Sequence, residues 1–187
     1  MKKLVVIIAL AVFLTGTAFA EFDPLGYPGS LEGGNLLIDI GAGLNSYGLI
    51  ESARLRIPPV ILTINYCLPI PVPISVGGYA SISQYRREWD GGYEVRHTYW
   101  AFGTQADWHF GFDMDWMDLY AGMALGYRGR SYYYDGPDDH HKNKNPQRAW
   151  FDYGLHGGVH FYVTKNFGFV IEGGFPTWLK AGFALKF

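Results

Sequence analysis

Between Thr177 and Phe187 the chain alternates residue by residue. Leu179, Ala181, Phe183, Leu185 and Phe187 fall on one side, and Trp178, Lys180, Gly182, Ala184 and Lys186 on the other. A period of two marks a strand whose faces meet different surroundings. Only one long apolar run exists, Leu4 to Leu14, whereas a helical membrane protein would show several. A chain with 18% aromatic residues and 25 glycines reads as β instead.

The amino terminus reads as an export signal. Lys2 and Lys3 precede the apolar run, small residues follow it, and Ala18-Phe19-Ala20 supplies a small-x-small cleavage site. The apolar core is short of the ~20 residues that a membrane helix needs. The mature chain is therefore expected to start at Glu21, and no Cys at that point indicates a lipid anchor. The single cysteine, Cys67, rules out an internal disulfide. Seventeen acidic residues outnumber fifteen basic ones even before Lys2 and Lys3 are removed, which argues against nucleic acid as a partner. The organisation expected is a cleaved signal over 1–20, an N-terminal periplasmic segment over 21–34, and one domain over 35–187.

Eight strands are expected in that domain. They span about Asn35–Asn45, Ile57–Leu68, Ile74–Arg86, Val95–Phe110, Met117–Tyr134, Gln147–Thr164, Phe167–Gly174 and Trp178–Phe187. In the fourth, Trp100, Phe102, Ala106 and Trp108 oppose His97, Tyr99, Gln105, Asp107 and His109. In the fifth, Leu119, Ala121, Met123, Leu125 and Tyr127 oppose Asp118, Tyr120, Gly122, Gly126, Arg128 and Arg130. Pro58-Pro59 interrupts the second strand, where a missing ladder donor predicts a bulge or a strand entry. Connections after the first, third and fifth strands are long and polar, and those after the second, fourth and sixth are short. The connection after the seventh is short as well.

The oily face is expected to point outward. Most strand glycines sit on the opposite face, as crowding inside a barrel of eight strands would require. That face also carries both signs of charge. Its predicted polar network is Asp39, Asp107, Asp118, Asp152 and Glu172 against Arg128, Lys180, His109, His156 and His160, with His97, Arg130 and Lys186 also inward. A hairpin around Pro176 sets Glu172 opposite Lys180, which predicts a cross-strand ion pair. Such a network reads first as a polar filling that fixes barrel shape, and second as an ion path or gate. Tyr66, Trp108, Tyr127 and Tyr153 suit interfacial girdles.

Other constellations carry less. Asp138-Asp139-His140-His141 has metal-binding residue types but reads as a solvated loop tip. A nucleophilic Ser needs a His within hydrogen-bond reach. The candidates Ser81, Ser83 and Ser131 show no such spacing, so no catalytic residues, cofactor or metal are expected.

Strand count, loop asymmetry, export signal and terminal Phe together resemble the small bacterial outer-membrane β-barrels typified by the OmpA transmembrane domain, OmpX and OmpW. The resemblance implies an all-β, eight-stranded, antiparallel up-and-down transmembrane β-barrel in the Gram-negative cell outer membrane. It implies that Phe183, Leu185 and Phe187 form the signal read by the barrel-assembly machinery. Outer-membrane lipids and periplasmic chaperones are the other partners it implies, with a monomeric state. The function expected is a non-enzymatic, porin-like envelope barrel that displays loops and supports membrane integrity. A narrow channel for a small or apolar solute is the alternative, and a lipid A-modifying enzyme is a third reading. Nothing resembles the periplasmic domain that follows the OmpA barrel.

Overall fold

The computed structural model describes residues 22–23, 25–44, 54–89, 93–135 and 148–187. The export signal, Glu21, most of the three long connections and the Asp138–His141 tetrad lie outside the described residues. Nine strands follow in order: β1 Phe22–Asp23, β2 Leu36–Leu44, β3 Arg54–Cys67, β4 Ile74–Trp89, β5 Tyr93–Phe112, β6 Met117–Asp135, β7 Arg148–Tyr162, β8 Phe167–Gly174 and β9 Leu179–Lys186. Strands β2 to β9 pair with their sequence neighbours, all antiparallel, and β2 pairs with β9 to close the ring. Closure satisfies every strand edge at the level where all eight strands are present, which is what a β-chain in hydrocarbon must achieve.

The wall sorts by the period-two pattern. On β9, Leu179, Ala181 and Phe183 are exposed while Lys180 and Ala184 are buried. On β8, Phe169 and Ile171 face out, and Val170 and Glu172 face in. Ile40, Ile64, Phe102, Leu125 and Leu155 continue the exposed apolar belt around the ring. Tyr66, Trp108, Tyr127 and Tyr153 share this outer face. Exposed apolar surface that encircles a molecule exceeds what a soluble monomer displays.

Strand lengths differ in a way that shapes the ring. Strands β5 and β6 have 20 and 19 residues, whereas β8 and β9 have 8 each. A tilted crossing takes about 9–11 residues. One side of the wall therefore stands well above the β8–β9 hairpin. In β3 the pairing with β4 shifts between Leu55 and Ile57 and again between Ile57 and Val60, so the irregularity brackets Pro58 and Pro59.

Inside, small residues make room for large ones. A Cβ on Gly122 would lie 2.1 Å from Asp107 Oδ1, and one on Gly158 would lie 2.6 Å from the Tyr120 hydroxyl. Outside, the ring of Trp100 lies over Gly129, its cross-strand partner, and replaces the side chain that the glycine lacks.

Candidate functional site

The lumen holds two clusters of paired polar side chains near the turn end. Glu172 and Lys180 are paired in the β8–β9 register, and Lys180 Nζ lies 2.9 Å from Glu172 Oε2. The same ammonium lies 4.0 Å from Asp39 Oδ2. Tyr120 donates its phenol O–H to Glu172 at 2.7 Å, and Thr63 donates to Asp39 at 2.9 Å. His160 bridges two carboxylates, with Nδ1 2.8 Å from Asp118 and Nε2 3.3 Å from Asp39. Donating to both takes the doubly protonated ring. The second cluster centres on Asp107, which meets His156 Nε2 at 2.6 Å and accepts from Asn65 at 2.7 Å and Gln105 at 3.2 Å.

In this layer four carboxylates (Asp39, Asp107, Asp118, Glu172) face one ammonium and three imidazoles, all buried. Each charge sits against a partner, as burial of charge requires. The two remaining predicted members stand further along the barrel, where Arg128 Nη1 lies 2.9 Å from Asp152 Oδ2. The guanidinium of Arg128 also lies 5.1 Å from the centre of the Phe175 ring.

Two features cover the network. The β8–β9 connection folds inward, and Phe175 packs edge-on against Tyr79 at 5.7 Å, with Pro176 and Thr177 buried beside it. The void there, between Ser83, Tyr99, Arg128 and Thr177, measures about 10 Å³, close to the minimum for a single water. At the other end, residues 25–34 lie across the mouth. Tyr27 donates to the carbonyls of Leu68 and Ile74, and Ser30 donates to that of Met117. Leu31 packs with Leu37, Cys67 and Tyr162, and Lys186 binds the Ser30 carbonyl. Burial pushes the Tyr27 phenol up to about 12, with Cys67 adding to the effect. Strand β1 joins this cap by pairing Phe22 with Phe112 and Asp23 with Gly111. The sequence marks 21–34 only as an N-terminal periplasmic segment; Tyr27, Pro28 and Leu31 in a Gly-containing stretch are the available signal that it packs.

One contact departs from the sequence expectation. The serine that reaches a histidine is Ser75, whose hydroxyl lies 2.9 Å from His109 Nε2. His109 Nδ1 lies 2.9 Å from Asp118. This is the hydrogen-bond order of a nucleophile, base and orienting acid. Sequence spacing could not find it, because the β4–β5 register sets Ser75 opposite Asp107 and only diagonally from His109. Ser75 is 0% and His109 1% exposed, and the Tyr27 ring stands 6.4 Å from the imidazole on the capped side. The three side chains therefore stand in that order without a surface on which a substrate can rest. Among the described residues no group of three or more His, Cys, Asp or Glu side chains is arranged to hold a metal ion.

The predicted assembly residues occupy the closing strand. Leu185 pairs with Ile38 and with Phe167, and Phe183 with Ile40 and Phe169. Phe187 exchanges backbone hydrogen bonds with Leu36 at 3.0 and 2.8 Å while its ring stays exposed.

No family model matches this sequence, and no curated protein matches it. Among solved structures, the chain is similar to Ail, the attachment invasion locus protein of Yersinia pestis, in complex with the heparin analogue sucrose octasulfate. That match has 16% identity and a TM-score of 0.48, and covers 84% of this chain and 100% of Ail. It is also similar to the outer-membrane protein OprG from Pseudomonas aeruginosa, with 12% identity, a TM-score of 0.48, and coverage of 88% and 99%. The N-terminal β-barrel domain of Pseudomonas aeruginosa OprF matches at 15% identity and a TM-score of 0.43, over 83% and 97%.

Proposed function

We propose that this protein is a non-enzymatic integral outer-membrane barrel that displays its long connections at the cell surface and supports membrane integrity. Its lumen is a closed, ion-paired polar filling. The observation that carries this reading is the covered network: buried paired charges across the ring, with Phe175 over one side and Tyr27 and Leu31 over the other. The apolar belt supports placement in hydrocarbon, where it meets acyl tails. Residues 1–20 then direct export, both ends of the mature chain lie on the periplasmic side, and the tall β4–β6 wall rises outside. Phe183, Leu185 and Phe187 engage the barrel-assembly machinery, periplasmic chaperones escort the unfolded chain, and lipids are the lasting partners of a monomer. The sealed position of Ser75 supports the non-enzymatic reading.

The test is conductance of refolded protein in a planar bilayer. A closed lumen gives no steady current, and Asp107→Asn or Arg128→Gln changes nothing. A stable open channel that responds to those substitutions makes the protein a narrow transporter instead.

A further inference from the structure

On the lumen face of the tall wall, above the Phe175 plug, two arginines oppose each other. Arg130 on β6 is the register partner of Arg148 on β7, and one step below Arg128 is the partner of Trp150. The 2.9 Å Arg128–Asp152 contact fixes which face this is, because 128 and 130, like 148, 150 and 152, alternate onto one side. Asp152 is engaged by Arg128. Among the described residues neither Arg130 nor Arg148 has a carboxylate partner. Like charges directly opposite on one sheet face destabilise it. Their Cβ atoms in such a pair are about 4.5–5.5 Å apart, so both forks can close on one small anion.

Rings frame the same patch. Tyr132 is the next residue after Arg130 on the same face of β6, Trp150 the next after Arg148 on that of β7, and Tyr99 is the β5 partner of Arg130. Tyr132 stands 5.3 Å from the His97 ring, and Tyr85 stands 5.9 Å from Tyr99. Trp150 is 41% exposed, an indole face left open beside two guanidinium groups.

We propose that Arg130 and Arg148 form a binding site for a phosphate monoester carried on a sugar, with the sugar ring against Trp150. Two opposed guanidinium groups call for a dianion on one atom centre. A phosphate monoester carries about −1.5 to −2 near neutral pH and matches the planar fork in bidentate fashion. A sulfate ester brings a single charge. An open aromatic face beside the forks suits the apolar side of a pyranose.

The experiment is titration of refolded protein in detergent micelles with glucose 6-phosphate, glucose 6-sulfate and inorganic phosphate, read by calorimetry. Lipopolysaccharide with and without its phosphates forms a separate arm that distinguishes a membrane source from a soluble one. Glucose 6-phosphate is expected to bind best. Arg130→Ala and Arg148→Ala should each weaken it at least tenfold, and Trp150→Ala should weaken it while sparing inorganic phosphate. Lys165→Ala, at the opposite end, should bind as the wild type does. Without ligand, Arg148→Ala should unfold at a higher temperature, since it removes the repulsion. Equal binding by the Arg130→Ala/Arg148→Ala double variant, shown folded by heat-dependent gel migration, overturns the site. Inorganic phosphate as tight as the sugar phosphate, or sulfate as tight as phosphate, overturns its chemistry.

Discussion

Removing the Lys180 ammonium probes the lumen most sharply. Lys180→Met keeps the length and most of the volume of a side chain that is 0% exposed. It leaves Glu172 with the Tyr120 hydroxyl alone, and it takes from Asp39 a cation at 4.0 Å. With an effective dielectric constant of about 20, Coulomb's law gives about 6 kcal/mol for the contact at 2.9 Å and about 4 kcal/mol for the one at 4.0 Å. Desolvation of each ion opposes this by several kcal/mol, so the intact pair adds little net stability. Loss of one partner is different, because a buried carboxylate stays behind, and such losses cost about 3–5 kcal/mol. Adding Glu172→Gln to the Lys180→Met variant removes the stranded charge and should restore at least about 2 kcal/mol. Urea unfolding in micelles, extrapolated linearly to water, reads both numbers. A Lys180→Met cost under about 1 kcal/mol, or added damage from Glu172→Gln in place of relief, would show that no stranded carboxylate is created.

Three further outcomes follow from other parts of the ring. Gly122→Val places a branched side chain against Asp107 and His156, and should cost about 1–3 kcal/mol or more in the same unfolding assay. Tyr27 has its phenol raised to about 12 in the fold, against about 10 unfolded. The unfolded chain therefore gives up this proton first as pH rises, and stability falls between about pH 10 and 12. Tyr27→Phe should lessen that fall and, by deleting two hydrogen bonds to Leu68 and Ile74, should speed amide exchange in residues 25–34 at neutral pH. Phe187→Leu keeps an apolar, outward side chain and the backbone bonds to Leu36. Refolded stability should then change by less than about 1.5 kcal/mol, while the yield of assembled barrel in cells drops.

The alternation along β5, β6, β8 and β9 was legible because within the closed ring one face turns outward and the other into the lumen, so parity sorts most residues. Glu172 and Lys180 were legible for the same reason, since a short hairpin fixes the register of its own two strands. The Ser75–His109 contact was not, because it depends on a diagonal offset between β4 and β5 that their own sequences leave open. Nor was the inward turn of Phe175: the short Gly-Phe-Pro-Thr connection reads as an outer loop, and the low β8–β9 rim beside the tall β5–β6 wall leaves it room to enter the ring. The cap by Tyr27 and Leu31 was hidden similarly, since its partners Cys67, Met117 and Tyr162 are far apart in the chain. Arg148 stood at a strand margin in the sequence, and its opposition to Arg130 emerged only with the β6–β7 register.

In a membrane the apolar belt is expected to touch acyl chains and the charged face is not. Nitroxide labels at Ile64, Leu125, Ile171 and Phe183, introduced one at a time into a Cys67→Ser background in liposomes, test it directly. Collisions with dissolved oxygen should exceed those with a water-soluble nickel chelate at all four positions. Collisions dominated by nickel there, or labels screened from both reagents as in a packed interior, would contradict the account.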